Sequence, residues 1–431
     1  MLEMQKAPFL GLGKPKLVQS VSPSIGAGDV TALPIPPQVI LMVKGRLDSD
    51  LALSVKPGDE VQTGQQLVKS SARGELCFST VTGVVQGVSA QKGYLEQAYT
   101  VISVETSGED KWDEGLPVIN AKTPVETIVP LLPRLPGNSE LGELLRVRDT
   151  LETLLLTGLD ADILVSTQQC VLATQFEAIK DGVQHLKALF PSTRLIMAVP
   201  PALRSLVEGV GVDVTTVEPF YPQTLPRLVA KNLFKKVVPA FKKLEEAGLG
   251  VITVEAVASL GALYVTGRIP FDKHLTVVDQ NSKTRHVKVR TGTTVGTILD
   301  HLGIETRDGD RIVLGGPMRG HSVYSLDTPI GHDTDAIMVQ DRDQVSPSSD
   351  THCVNCGKCV RTCPVNIPVN MLVRLLENGL YEDAAREYDL QFCIECGLCA
   401  YVCVAHIPIF HYIMLGKYEV ARSKLAEGTN D

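Results

Sequence analysis

The chain has 431 residues, 44% hydrophobic and 21% charged, the balance of a soluble folded protein long enough for two to four domains. A formal net charge of −8 and an aromatic content of 5% exclude a protein that grips nucleic acid by neutralising phosphates or by stacking bases. The longest apolar stretch, Leu249 to Gly267, contains Glu255 and is rich in valine. It predicts two buried strands around Gly261, not a membrane helix, which needs about 20 apolar residues. Met1–Lys16 carries lysines but no continuous apolar run of a secretory signal, so the chain is expected in the cytosol or against a membrane through a partner.

Residues 1–37 read as an extended arm bearing Pro8, Pro15, Pro23, Pro34, Pro36 and Pro37. Residues 38–106 read as all-β. Val39–Val43 is an apolar run, Pro57-Gly58-Asp59 and Thr63-Gly64 mark turns, and Val81–Val85 carries a third glycine turn at Gly83. The pattern is similar to the barrel-sandwich hybrid of biotinyl and lipoyl domains. No lysine stands at a hairpin tip, since Lys69 falls in the strand after the turn, so a structural module is expected and not a carrier.

Residues 107–245 form one α/β unit in this reading. A proline-bearing connector runs to about 150. Thr153–Leu156 and Ile163–Val165 are short apolar runs, Leu172–Leu189 is helix-like, and Leu195–Val199 and Val212–Val217 are strands of a parallel sheet. Residues 246–340 turn β-rich. Strands are predicted at Val251–Val257, Gly261–Val265, His274–Val278 and Arg285–Val289, then a helix at Thr294–Leu302 and a final strand at Arg311–Leu314. The order suggests a β-grasp module closed by a tight loop at Gly315–Gly320. Asp341–Asp350 is a polar linker into a last unit, 341–431.

That unit holds eight of the ten cysteines. Cys353, Cys356, Cys359 and Cys363 follow C-x2-C-x2-C-x3-C, and so do Cys393, Cys396, Cys399 and Cys403. This is the run that holds [4Fe–4S] clusters. Three cysteines two residues apart wrap one cubane, and Gly357 and Gly397 relieve crowding against sulfide. The fourth is expected about one turn into the following helix, pointing away to reach the other cluster. Cluster one is therefore assigned to Cys353, Cys356, Cys359 and Cys403, and cluster two to Cys393, Cys396, Cys399 and Cys363. A pair of zinc sites would use pairs of cysteines, not two runs of four. Val369–Gly379 and Tyr381–Tyr388 read as helices between the runs, giving an α-helical dicluster ferredoxin. Val404 stands where Pro364 stands in the first run, leaving the local backbone free to differ. Cys77 and Cys170 are expected as buried structural thiols, and His406 and His411 as surface or capping residues. Asn355 and Glu395 are candidates for tuning the clusters, with exposed loop polarity as the alternative.

The whole order resembles the C subunit of the Rnf ion-translocating oxidoreductase. The resemblance rests on Leu33–Leu41, Val55–Leu67, Gly315-Gly316-Pro317-Met318, Thr328-Pro329-Ile330 and the stretch from Cys393 to Pro408. It implies a multidomain α/β-plus-β protein: a barrel-sandwich hybrid, an α/β domain like the flavin-binding part of complex I, a β-grasp (SLBB-like) domain and the dicluster ferredoxin domain. It also implies integral membrane subunits and a redox donor or acceptor protein as partners, and a cytoplasmic position on the inner face of the membrane. The family usually carries FMN, held by a glycine-rich loop and two further motifs. Here those stretches are Leu132–Gly142, Thr157–Ile163 and Tyr221–Arg227, and they lack the paired glycines, the Cys-Glu-Pro and the Glu-Lys. Two separated glycines do not build the family's phosphate cradle. The expectation is two [4Fe–4S] clusters on a degenerate flavin domain, an electron-transfer subunit and not an NADH dehydrogenase in its own right. The alternatives are an FMN-containing NADH:ferredoxin-type subunit, with Lys231, Lys235 or Lys236 on the phosphate, or a soluble flavoprotein like the cobalamin reductases.

Overall fold

The structure, a computed structural model, describes residues 17–19, 21, 25–47, 49–71, 76–93, 97–137, 140–238, 242–349 and 351–427. Pro8, Pro15 and Pro23 of the predicted arm lie outside them. The rest of the arm carries two short strands, β1 (Leu17–Val18) and β2 (Val30–Ala32), whose partners come far later in the chain.

The β module contains β3 (Gln38–Lys44), β4 (Leu51–Leu53), β5 (Glu60–Val61), β6 (Val68–Ser71), β7 (Gly83–Lys92) and β8 (Ala98–Thr106). An antiparallel sheet runs β3-β8-β7-β5, and β4 pairs with β6. Alternation on β3 turns Val39, Leu41 and Val43 inward, against Leu67, Ile102 and Val104. Gly58 and Gly64 adopt positive φ, as their turns require. Gly83 is a correction: it opens β7, and a Cβ there would lie 1.9 Å from the Glu105 carbonyl oxygen, so close strand approach selects it, not a turn.

The predicted connector is part of a core. It holds α1 (Val125–Ile128) and α2 (Leu141–Arg146), and Ile128, Leu132, Leu135, Leu141 and Leu144 are fully buried. These pack under β9 (Thr153–Thr157), α3 (Thr167–Thr174), α4 (Phe176–Leu189), β10 (Arg194–Val199) and β11 (Asp213–Thr216). The helix expected at Leu172–Leu189 is two helices, broken at Gln175. Then come β12 (Phe220–Tyr221), antiparallel to β1, and α5 (Pro226–Phe234), with Pro226 at its first turn where no N–H is needed.

Leu249–Gly267 corrects the reading of two strands around Gly261. It is one strand, β13 (Leu249–Thr253), and one helix, α6 (Val254–Thr266). Thr253 caps the helix by accepting from the Ala256 N–H at 3.1 Å, and Gly267, at φ 73°, ends it. The helix is buried almost all round, so its apolar residues show no one-sided periodicity, and valine content misdirects the reading. Gly261 breaks no strand. A Cβ there would lie 2.0 Å from the Ala178 carbonyl oxygen of α4, and one on Gly182 would lie 2.0 Å from the Val257 carbonyl oxygen of α6. β13 pairs in parallel with β9, giving the parallel order β11-β10-β9-β13, so the α/β sheet continues past residue 245.

Next come β14 (Asp272–Val278), β15 (Thr284–Arg290), α7 (Val295–His301), β16 (Arg311–Leu314), β17 (His321–Val323) and β18 (Ala336–Gln340). They form a mixed sheet, β17-β16-β18-β14-β15-β2, to which the N-terminal β2 adds parallel to β15. β16 is therefore not the last strand of this unit. The final unit is helical: α8 (Lys358–Thr362), α9 (Val369–Glu377), α10 (Tyr381–Glu387), α11 (Leu398–Tyr401) and α12 (Ile409–Glu427). Gly379, at φ 69°, separates α9 from α10 as expected. Among the described residues no helix is long and apolar enough to cross a membrane.

Candidate metal centres

The two cysteine runs are a structural repeat with an offset of 40 positions (393 − 353). Asn355 and Glu395, Gly357 and Gly397, and Asn366 and His406 are matched positions, and all six have positive φ. Gly357 and Gly397 each open a short helix, α8 and α11. Each run then ends in the same turn: the Asn366 N–H donates to the Cys363 carbonyl at 3.3 Å, and the His406 N–H to the Cys403 carbonyl at 3.2 Å. The backbone that Val404 leaves free thus keeps the shape found at Pro364. Cys363 lies just beyond α8, not within a helix.

These turns carry each fourth cysteine across to the other half. One cavity is lined by Cys353, Cys356, Cys359 and Cys403, the other by Cys393, Cys396, Cys399 and Cys363. The empty volumes, open mouths included, are about 390 and 340 Å³. Apolar side chains complete them: Val373, Ile407 and Ile409 in the first, Ile367, Val369 and Ile413 in the second. The first is the outer site, with Cys356 exposed and Val354 at 65% and Val404 at 50% exposure beside it. The second is the inner site, where Cys363, Cys396 and Cys399 are all buried.

The donor set fits an iron–sulfur group. Burial pushes the Cys359 thiol up to about 11 and the Cys396 thiol up to about 12. Burial also raises Cys393, opposed by the nearby Lys417, and lifts Cys399 well above its ordinary value. Such thiols hold their protons unless a cationic centre takes the thiolate form. A cubane core would supply that charge to four thiolates at once. No group of three or more His, Cys, Asp and Glu among the described residues is placed to hold a single metal ion.

The inner site has neighbours that sequence reasoning missed. The Tyr221 hydroxyl donates to the Cys396 carbonyl at 2.6 Å, with both residues buried. Gly397 lies against the Gly315–Gly320 loop, where a Cβ would sit 2.3 Å from the Met318 carbonyl oxygen. Asp162 holds that loop by accepting from the N–H groups of Met318 and Arg319 at 3.2 and 2.7 Å. Lys417 of α12 donates to the Cys393 carbonyl and pairs with Glu395, both at 2.6 Å. These partners stand up to 175 positions apart. The one signal was the cysteine-free Tyr-Pro-Gln and Gly-Gly-Pro-Met stretches.

The three stretches compared with the flavin motifs serve internal contacts. Leu132, Leu135 and Leu141 are core, and the Gly137 carbonyl accepts from the Thr253 hydroxyl at 2.6 Å. Asp160 is buried below the C-terminal end of β9, accepting from the Gln168 N–H and the Gln169 amide. Burial pushes its carboxyl up to about 7, and that of Asp162 up to about 6. Lys235 donates to the Asn232 carbonyl at 3.0 Å, Lys236 pairs with Glu152 at 2.6 Å, and Lys231 is exposed. Cys77 and Cys170 are buried thiols, and His406 and His411 lie on the surface. Asn355 is exposed, whereas Glu395 is half-buried.

A family model described as a 4Fe-4S dicluster domain matches residues 347–404. The C subunit of the proton-translocating ferredoxin:NAD(+) oxidoreductase complex of Clostridium ljungdahlii is 25% identical over 380 residues, covering 83% of this chain and 82% of that one. The C subunit of the ion-translocating oxidoreductase complex of Rhodobacter capsulatus is 24% identical over 386 residues, covering 83% and 73%. A chain of an NAD+-reducing [NiFe]-hydrogenase crystal structure, in the air-oxidized state, aligns at a TM-score of 0.47 and 12% identity, over 65% of this chain and 61% of that one. The resemblance read from the sequence motifs is borne out: this chain is a relative of the C subunits and carries a 4Fe-4S dicluster domain.

Proposed function

From this kinship with C subunits of ion-translocating oxidoreductase complexes, we propose that the chain is the iron–sulfur electron-transfer subunit of a membrane-associated complex of that type. Its two [4Fe–4S] clusters would be held by Cys353, Cys356, Cys359 and Cys403, and by Cys393, Cys396, Cys399 and Cys363. The observation that carries this reading is the crossing of the fourth cysteines, which puts four thiols around each of two cavities. Clusters bound there supply one-electron transfer. The protein's part is to shield them, to set their potentials and to hold them in a fixed relation through α8, α9, α11 and α12.

The outer site offers Cys356 and its apolar rim to a redox partner. The inner site meets Tyr221 and the Gly315–Gly320 loop, where exchange with the rest of a complex would begin. Integral membrane subunits and a redox donor or acceptor protein are the partners, with the chain peripheral to the inner face of the cell membrane. The sheet units fit a barrel-sandwich hybrid, a flavin-subunit-like α/β domain and a β-grasp domain.

The α/β unit acts as scaffold in this proposal. The stretches that bind flavin in the family are here engaged in the core, in the Asp160 and Asp162 contacts and in the Tyr221 bond to the inner run. The anaerobic visible spectrum tests this. Dithionite should bleach the iron–sulfur absorbance, and NADH alone should leave it unchanged. Bleaching by NADH alone would restore the flavoprotein reading, with FMN held by rearranged loops.

A further inference from the structure

The repeat is unequal at one charged pair. Lys417 Nζ lies 2.6 Å from the Cys393 carbonyl oxygen and 2.6 Å from Glu395 Oε1. Glu395 sits at the left-handed position two residues beyond Cys393, and its N–H faces Cys393 Sγ at 3.4 Å. The lysine side chain is 17% exposed and the glutamate 33%. Forty positions earlier stand Glu377 and Asn355, both exposed. Asn355 accepts from the neutral Asn370 amide at 3.4 Å. The inner run thus has a sheltered cation–anion pair against its first ligand, where the outer run has an amide contact.

We propose that Lys417 and Glu395 are positioning residues that set the reduction potential of the inner cluster separately from that of the outer one. The inference rests on the proposed function. Reduction adds one negative charge to a group already held by four thiolates. A nearby cation favours the reduced form and a nearby anion opposes it, and partial burial strengthens both effects. In the intact pair the two oppose each other, while Lys417 also pins the Cys393 carbonyl and so the loop that presents the first thiolate. Removing either charge leaves the other uncompensated.

The test is an anaerobic redox titration of the reconstituted full-length chain, followed by electron paramagnetic resonance, with iron counted in each sample. K417M should lower the midpoint of one cluster and E395Q should raise the midpoint of that same cluster. K417R should return it toward the starting value, and the other cluster should stay put. Midpoints that do not move, that move in one direction in both variants, or that move for both clusters equally would overturn the proposal. If K417M fails to retain iron, E395Q decides alone by the presence or absence of its upward shift. Failure of the unaltered chain to hold iron would instead remove the proposed function, so the two failures are distinguishable.

Discussion

Lys273 is fully buried, and its ammonium pairs with Glu255, lies 3.2 Å from Asp335 and donates to the His274 carbonyl. Burial works against its charge, but the two carboxylates outweigh burial and hold its pKa above the ordinary value. Breaking such a pair strands a buried charge. K273M is therefore expected to cost about 3–5 kcal/mol in denaturant unfolding, and K273M/E255Q to recover much of it. Asp160 acts in the opposite sense. Its carboxyl rises from 3.8 to about 7 on folding, so the folded state binds the extra proton. The group's contribution to stability falls as pH rises from about 4 to about 7. D160N should gain stability relative to the unaltered protein through that window, and a pH-independent difference in unfolding midpoints would contradict this. The two runs of four cysteines were legible in the sequence because their spacing is local. Tyr221, Lys417 and the Asp162 contacts were not, since each depends on packing between segments that the sequence separates widely.

Single glycines decide how elements meet. The α4–α6 contact is a backbone-to-backbone approach at Gly182 and Gly261, and neither position has room for a methyl group. G182A should separate the helices and cost about 1–3 kcal/mol in thermal or denaturant unfolding. At the two cysteine runs the repeat predicts a contrast. Gly357 and Gly397 share nearly the same φ, 70° and 69°. A Cβ on Gly357 would meet the Arg361 guanidinium at 3.0 Å, which can move, whereas one on Gly397 would meet the Met318 backbone at 2.3 Å. G397A should lose iron well before G357A on dilution or mild heating, and equal retention would argue against the tight seat of the inner run. β3 was readable as a short apolar run between Pro37 and Gly45. α6 was not, because a helix buried on all sides carries no amphipathic period, and its capping threonine and terminal glycine were the only local signs of it.

Across the whole molecule, the N-terminal segment joins distant parts. β1 pairs beside Tyr221 and β2 extends the six-stranded sheet. Gln19 donates to the carbonyls of Asp160 and Asp162, at the base of the contact that holds the Met318 loop against the inner run. The parallel sheet, the mixed sheet and the helical unit therefore converge on the inner site, while the outer site faces solvent. Such a body suits a relay that takes electrons at one end and passes them at the other. The cofactor content of the anaerobically purified full-length chain tests this most directly. The account predicts about eight iron and eight acid-labile sulfide per chain, with no stoichiometric flavin. About four iron, or one FMN for each chain, would contradict it.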